Sequence, residues 1–214
     1  ELERLGIGGI NWILMQYMYY IRTINHETIS DTGAVNVTTP GLRRYFTEIN
    51  KGPISDPLKM CTDMIKLSKI WKKVSDYPQI KVLLKFNENS KLFLASYFFR
   101  FNEEDITAEI VEPIVDCLLR LFSLLELGDA GYSSKYFKTF LFKEEAKFSD
   151  ETIPVEEIKT DFYQHIISNW DYDTIDAALH DYDGNALVYL NEYLFAKETA
   201  VSFTLEAKCD IEHI

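Results

Sequence analysis

The chain has 214 residues and carries 34 acidic against 22 basic side chains, a formal net charge of −12. This length allows one large or two small domains with a real core. Because the negative charge repels phosphate, the chain is a poor candidate for the main nucleic-acid-binding surface of a protein. Only 9 Gly and 6 Pro residues occur, so turns are few and long helices are favoured over a sandwich of short strands.

The first predicted element is a helix over 10–24, with Trp12, Met15 and Tyr19 turned inward. Its apolar run, 10–21, is interrupted by polar residues and is shorter than the roughly 20 apolar residues of a membrane span. We therefore expect a buried helix and no membrane partner.

Two helix starts follow, each marked by a polar capping residue before a proline. Thr39 is expected to cap a helix that has Pro40 at its first position. Ser55 or Asp56 is expected to cap the next helix, because the apolar residues between 58 and 74 follow helical spacing.

The middle of the chain predicts further helices, including the longest one. A buried helix should begin at Ser90, and the long helix that follows should be capped by Asn102. Pro113 should kink this long helix and Gly128 should end it. Two short helices should meet near Gly184. The predicted fold is mainly α, an irregular bundle of several helices.

Only the end of the chain changes its period. From Val201 to Glu212, apolar and polar residues alternate strictly, which is typical of a half-buried strand. A lone strand leaves its backbone groups unpaired. Its partner is therefore either an earlier segment or a segment beyond Ile214.

Upstream of this predicted strand, two candidate loops fail as binding sites. The glycine-rich Gly6–Gly9 lacks the Gly-Lys-Ser/Thr ending of a phosphate-binding loop. The acid-rich stretch 171–185 lacks the Gly and Glu spacing of a calcium loop, so it predicts a capped pair of helices instead.

The cysteine content argues against metal and disulfide frameworks. Cys61, Cys117 and Cys209 are odd in number and far apart, and no Cys-x-x-Cys pair occurs, which excludes a zinc knuckle. We expect free thiols and a cytoplasmic location. Cys61 and Cys117 are expected to be buried on apolar helix faces.

The candidate catalytic motif of the chain is its last six residues, "CDIEHI" at 209–214. An acid followed by His at the end of a strand resembles the start of the ββα-metal fold of HNH nucleases. There the acid position holds a divalent metal on the scissile phosphate, and the His takes a proton from the attacking water. The resemblance implies that Glu212 is a metal ligand and His213 the catalytic base.

A wider resemblance joins this motif to the helix before it. "LNEYL" at 190–194 followed by "IEHI" at 211–214 resembles the C-terminal region of GmrSD-type modification-dependent restriction proteins. These bacterial proteins join a ParB-like N-terminal NTPase domain to a C-terminal HNH nuclease domain. Upstream, "TTPGLRRYFTEI" at 38–49 and "FLASYFFRF" at 93–101 resemble the helical stretch between those domains.

The resemblance implies a phage-defence protein that cleaves foreign, modified DNA with Mg²⁺ or Mn²⁺ and binds a nucleotide in its N-terminal domain. Within the chain, it implies a helical connector over 1–101, following an N-terminal domain that is absent. The helical part of the C-terminal domain would be 102–198, and the first strand of a truncated HNH motif would be 199–214. The resemblance is compatible with both a monomer and a homo-oligomer.

Much of the family pattern does not occur in these residues. The Asp-Gly-Gln-Gln-Arg nucleotide motif is absent, and the Pro after "IEHI", the later Gly-Asn and the final metal ligand would lie past Ile214. We therefore expect the isolated chain to be inactive, to bind DNA weakly and to hold no cofactor. The alternative is a non-catalytic helical protein-interaction module, which the net charge of −12 would suit.

Overall fold

The fold is described from a computed structural model, which covers residues 9–128 and 135–205 in enough detail for description. These described residues are mainly helical, with 72% of them in helices, which confirms the predicted class. The described residues form α1 (Ile10–Ile24), α2 (Leu42–Arg44), α3 (Gly52–Ser55), α4 (Pro57–Val74), α5 (Pro78–Phe86), α6 (Ser90–Phe98), α7 (Ala108–Leu127), α8 (Lys135–Phe148), α9 (Val155–Asn169), α10 (Tyr172–His180) and α11 (Ala186–Thr199).

No strand is present in residues 9–128 and 135–205. An isolated antiparallel bridge pairs Ile29 with Val35 in the loop after α1. The predicted C-terminal strand is only partly described: residues 201–205 are irregular, and residues 206–214 lie outside the described part of the chain. The strand therefore stays a prediction for those last residues and is not formed over 201–205.

The helix start predicted at Asp56 is confirmed in detail. The Asp56 carboxylate accepts a hydrogen bond from the backbone N–H of Lys59 at 3.0 Å, and Pro57 is the first residue of α4. The aspartate satisfies one of the amide donors left free at a helix start, and proline has no amide that needs a partner.

The helix start predicted at Thr39 is wrong, because a tertiary contact takes its side chain. The Thr39 hydroxyl lies 2.9 Å from the hydroxyl of Tyr19 on α1, where either group can donate. The next helix, α2, begins at Leu42 after Gly41, without a side-chain cap. Trp12 and Met15 are half-exposed, whereas Tyr19 is buried as predicted.

The long helix α7 begins later than Asn102 predicts. A 3₁₀ turn, Glu103–Asp105, comes first, and the Asn102 side-chain amide donates to the Asp105 carboxylate at 3.0 Å. Lys73 of α4 donates to the Glu103 carbonyl at 2.6 Å and so stabilises the turn. Pro113 lies inside α7, and the Gly128 N–H donates to the carbonyl of Leu124, where the helix ends as predicted.

The chain forms two compact units that interleave along the sequence. The first unit is Glu1–Ser75, Lys91–Thr107 and Lys135–Pro154, and the second is Asp76–Ser90, Ala108–Ser134 and Val155–Ile214. Each unit therefore gathers helices that are far apart in the sequence.

The first unit is organised around α1, which contacts α4 and α8. Trp71 of α4 is 1% exposed and donates its indole N–H to the Gln16 side-chain oxygen of α1 at 2.6 Å. The Tyr19 ring meets the rings of Phe93 and Phe142 at centroid distances of 6.0 and 5.6 Å. Aromatic packing and one buried hydrogen bond thus join α1 to α4, α6 and α8.

The second unit is organised around α7. This helix contacts α5, α9 and α10, and α5 in turn contacts α11. Val111, Ile114, Val115 and Leu118 of α7 are fully buried, as expected for a long apolar helix at the centre of this unit.

Candidate functional site

The sequence-predicted site residues, Glu212 and His213, lie outside the described part of the chain. Their roles as metal ligand and catalytic base therefore stay predictions. Within residues 9–128 and 135–205, no group of three or more His, Cys, Asp and Glu side chains is placed to hold a metal ion. In the same ranges, every helix is too short or too polar to cross a membrane.

The second unit contains an open groove with a volume of about 950 Å³. Three helices each contribute one stripe of residues on successive turns. We call this site the α7/α9/α11 groove. Its floor is formed by α7 and its walls by α9 and α11; the principal lining residues are Pro113, Asp116, Cys117, Arg120, Leu124, Lys159, Phe162, Tyr163, Ile166, Leu190, Tyr193, Leu194 and Lys197.

The two walls are held by different neighbours. Helix α9 packs chiefly on α7, whereas α11 packs chiefly on α5. On each wall the lining residues are spaced i, i+3, i+4 and i+7, at 159–166 on α9 and at 190–197 on α11. Both helices therefore turn a mainly apolar stripe toward the groove, and each stripe has a lysine at one end.

The motif "LNEYL" that carries part of the family resemblance lies on the α11 wall. Leu190, Tyr193 and Leu194 all line the groove. Beyond α11, Ala200 adopts a left-handed conformation with φ of 55°, and the N–H of Val201 donates to the Ala196 carbonyl. The ring of Phe203 then packs edge-on against Tyr193 at 5.7 Å. The segment leading toward "IEHI" thus begins beside the groove wall.

Asp116 is one of three charged residues that α7 contributes to the groove, with Glu112 and Arg120. Its carboxylate is half-buried, and it has no hydrogen bond or ion pair within the described residues. Burial raises the pKa of Asp116 above its ordinary value, and the nearby Lys197 opposes that rise. A partly desolvated carboxylate without a partner is costly, so this position would gain from a cation.

The other charges of the groove differ in whether they are already paired. Lys197 forms an ion pair with Glu112, and Lys159 pairs with Glu156 at 2.8 Å. Arg120, one turn beyond Asp116, is exposed and remains solvated. Asp116 therefore lies near three cations, Lys197, Arg120 and Lys159, although none of them forms an ion pair with it.

Cys117 also lies in the groove lining but is not a nucleophile. Burial raises the pKa of its thiol to about 12, so the thiolate is absent at neutral pH. Cys61, in contrast, is exposed on α4, and the prediction that it would be buried is wrong. The apolar spacing of α4 corresponds to a buried face only from Leu67 onward, where the helix packs in the core.

This difference predicts selective thiol labelling. With iodoacetamide at pH 8 under native conditions, Cys61 should be alkylated at least about tenfold faster than Cys117, because only an accessible thiolate reacts. Peptide mapping by mass spectrometry measures both sites in one sample. In urea the two rates should converge; equal rates in the native protein would contradict the burial of Cys117.

A second cluster of polar groups lies in the first unit and is closed to solvent. Glu145 of α8 is 0% exposed and accepts a hydrogen bond from Ser96 of α6 at 3.0 Å. Arg22 of α1, 2% exposed, donates to the Thr38 carbonyl at 2.9 Å. Burial raises the pKa of Glu145 to about 8, although Ser96 and Arg22 act against it. Because the cluster has no opening, we assign it a structural role.

The acidic charge of the chain belongs to one of the two units. The sequence of the first unit carries 14 acidic and 16 basic residues, whereas that of the second carries 20 acidic and 6 basic residues. The net charge of −12 is therefore the sum of a nearly neutral unit and a unit of −14. The lining of the α7/α9/α11 groove differs from its unit, since it carries the three cations Arg120, Lys159 and Lys197 against the two carboxylates Glu112 and Asp116.

Comparison with known proteins identified no relative. No family model matches the chain, no curated protein matches it, and no solved structure matches it. The resemblance to the restriction proteins therefore depends on the residues quoted for it.

Proposed function

We propose that the chain is part of a GmrSD-type restriction endonuclease that cleaves foreign, modified DNA with a divalent metal. The observation that supports this proposal is the "IEHI" of 211–214 after the "LNEYL" of 190–194. Consistent with that pattern, "LNEYL" lies on a helix, α11, which ends at Thr199 before the motif. The mainly helical architecture is the one that the proposal requires of 1–198.

The chemistry proposed for the terminal residues is metal-assisted hydrolysis of a phosphodiester. The Glu212 carboxylate has the hard oxygen donors that suit Mg²⁺ or Mn²⁺, and the metal supplies charge stabilisation at the phosphate. His213 takes the proton of the attacking water, since imidazole titrates near neutral pH. The nucleotide of the family would bind in the N-terminal domain, and the protein would act in the cytoplasm.

The test uses the intact protein that contains this chain. Purified with its nucleotide, it should cut modified DNA with Mg²⁺ or Mn²⁺ and stop when EDTA removes the metal. The isolated 214-residue chain should neither cut DNA nor bind it tightly, because its charge of −12 repels phosphate. Metal-dependent nicking by the isolated chain, or no metal-dependent cleavage by the intact protein, would contradict the proposal.

A second candidate function is a non-catalytic helical interaction module. The observation that favours it is the open α7/α9/α11 groove, with an apolar lining and a volume of about 950 Å³. Clefts of this size between helices are common binding sites for ligands and for partner helices.

A further inference from the structure

Helix α10 is amphipathic, but its apolar residues are not covered. It contacts α7, yet none of its nine residues is buried, and Ile175 and Ala178 are only half-buried. Isolated helices shorter than about 12–15 residues are marginal in water, and most helical stability in proteins comes from the packing of an apolar face. A partner that covered α10 would therefore stabilise it.

The uncovered face of α10 carries two apolar side chains. Tyr172 is 78% exposed and Leu179 is 51% exposed. Seven residues make about two turns, so both side chains lie on one side of the helix, about 10.5 Å apart along its axis. Asp176, which is also exposed, lies between them on the same side. We call Tyr172, Asp176 and Leu179 the α10 stripe.

The surroundings of the α10 stripe are acidic. Residues 171–183 contain five aspartates and no lysine or arginine. Asp173 lies beside the stripe, and Asp176 lies 3.8 Å from Nδ1 of His180, which is charged only when protonated. A basic surface therefore complements the stripe, whereas a second α10 or a nucleic-acid phosphate is repelled.

The exposed face of α4 has the same apolar spacing. Leu58 is 78% exposed and Ile65 is 57% exposed, again seven residues and about 10.5 Å apart. Lys69 and Lys72, both exposed, continue the same face toward the end of the helix, and Cys61 lies on it between the two apolar residues. We call these five residues the α4 stripe.

The charge around the α4 stripe is positive. Residues 41–74 carry eight basic and three acidic residues, a net charge of +5. The turn Glu103–Asp105 contacts α4 and adds three acidic residues, with the Glu103 carboxylate 3.9 Å from Nζ of Lys69. The sum is +2, against −5 for residues 171–183. Contact between α4 and α10 is therefore favoured over contact between two copies of either helix.

We propose that the chain self-associates, with the α10 stripe of one copy packed on the α4 stripe of a second copy. The two apolar pairs cover one another, and Asp173 and Asp176 face the lysines of α4. Both stripes occur on every copy, so association continues beyond a dimer unless the geometry closes it. This proposal does not depend on nuclease activity, since it concerns two faces of the helical part of the chain.

The test is sedimentation velocity of the full chain with a reducing agent. Contact with a nine-residue helix is smaller than the roughly 1,200–2,000 Å² of a stable interface, so association should be weak and appear as the concentration rises to about 500 µM. Leu179→Gln should weaken it about tenfold, because an apolar anchor is lost. Phe195→Gln is the matched control: Phe195 is 62% exposed on α11, and this variant should associate like the wild type.

A charge exchange identifies the two surfaces. Asp173→Lys with Asp176→Lys on α10, and Lys69→Glu with Lys72→Glu on α4, should each weaken self-association about tenfold. An equal mixture of the two variants should recover association, because the exchanged charges again complement one another. Recovery also shows that both variants are folded. Asp31→Lys with Glu151→Lys, at exposed sites away from both helices in sequence, gives the same change in net charge and should not weaken association.

Labelling of Cys61 gives an independent measure of the contact. Alkylation of this thiol by iodoacetamide should slow as the wild-type concentration rises, and Leu179→Gln should abolish that slowing. Three outcomes would overturn the proposal: a chain that stays monomeric at about 500 µM, equal loss of association in Leu179→Gln and Phe195→Gln, or no recovery in the mixture when circular dichroism shows both charge variants to be helical.

Discussion

Replacing His213 with alanine in the intact protein should lower the rate of metal-dependent DNA cleavage by roughly 10²–10⁴-fold, the usual contribution of a general base. The proposed role of His213 is to accept the proton of the attacking water, which alanine cannot do. The loss should appear in the rate at saturating DNA and not in DNA affinity, because the base acts in the transition state. Single-turnover cleavage of a modified DNA fragment measures this rate directly.

The controls separate a catalytic from a structural role of His213. His180→Ala removes an exposed histidine of α10 and should leave cleavage within about twofold of the wild type. Glu212→Ala should also lower the cleavage rate strongly, and the remaining activity should need a higher metal concentration, because a metal ligand is lost. If His213→Ala cuts modified DNA at the wild-type rate, the catalytic assignment fails.

Features set by neighbouring residues could be predicted from the sequence. The start of α4 is local, since Asp56 caps an amide only three residues away and Pro57 fixes the first turn. The end of α7 at Gly128 is local in the same sense. Such signals need no knowledge of the rest of the fold.

Features set by distant residues could not be predicted. Threonine often caps helices, but the hydroxyl of Thr39 forms a hydrogen bond with Tyr19, which lies 20 positions earlier in the chain. Cys61 follows the apolar spacing of α4, yet it is exposed, and the buried residues of that helix begin only at Leu67. Periodicity gives the apolar face of a helix, while the packing partner decides how much of that face is covered.

The α7/α9/α11 groove also could not be predicted from the sequence, because distant residues determine it. The spacing of Leu190, Tyr193 and Leu194 predicts a helix face, but not that this face stays partly open. That depends on α5, which packs on α11 from another part of the sequence, and on the ion pair between Lys197 and Glu112 of α7. One signal was present: Asp116 is a carboxylate in an otherwise apolar stretch of α7, and a polar residue among buried apolar ones is more informative than the apolar residues themselves.

Glu145 predicts an unusual pH dependence of stability in the first unit. The carboxyl of Glu145 is fully buried, with one oxygen bound to Ser96 and the other without a partner. The charged groups that face it are few: Arg22 of α1 is the cation within reach, and its guanidinium is already bound to the Thr38 carbonyl. Desolvation therefore dominates, and the neutral acid is the favoured form in the folded protein.

The direction of the effect follows from the two pKa values. In the unfolded chain Glu145 loses its proton near its ordinary pKa of 4.5, whereas in the folded protein burial raises that pKa to about 8. Between these values the folded state holds one more proton than the unfolded state. The free energy of unfolding contributed by Glu145 is therefore fully present below pH 4.5, and it falls as the pH rises toward 8.

The effect of Glu145 on stability is large, and one variant isolates it. A shift from 4.5 to about 8 corresponds to a loss of up to about 5 kcal/mol in the free energy of unfolding once the pH has passed both values. Urea denaturation at pH 5 and pH 8, followed by circular dichroism, measures it. Glu145→Gln keeps the shape and the Ser96 hydrogen bond but cannot ionise, so its stability should change much less between the two pH values than that of the wild type.

Other groups titrate in the same range, so the decisive quantity is the difference between wild type and variant. The pKa of His165 is lowered by burial, which makes stability fall toward acid pH and opposes the effect of Glu145. This contribution is common to both proteins and cancels in the difference. Glu151→Gln, at an exposed carboxyl just beyond α8, should leave the pH dependence of the wild type intact. If Glu145→Gln and Glu151→Gln show the same pH dependence, Glu145 is ionised in the folded protein, and Arg22 neutralises it across the buried cluster.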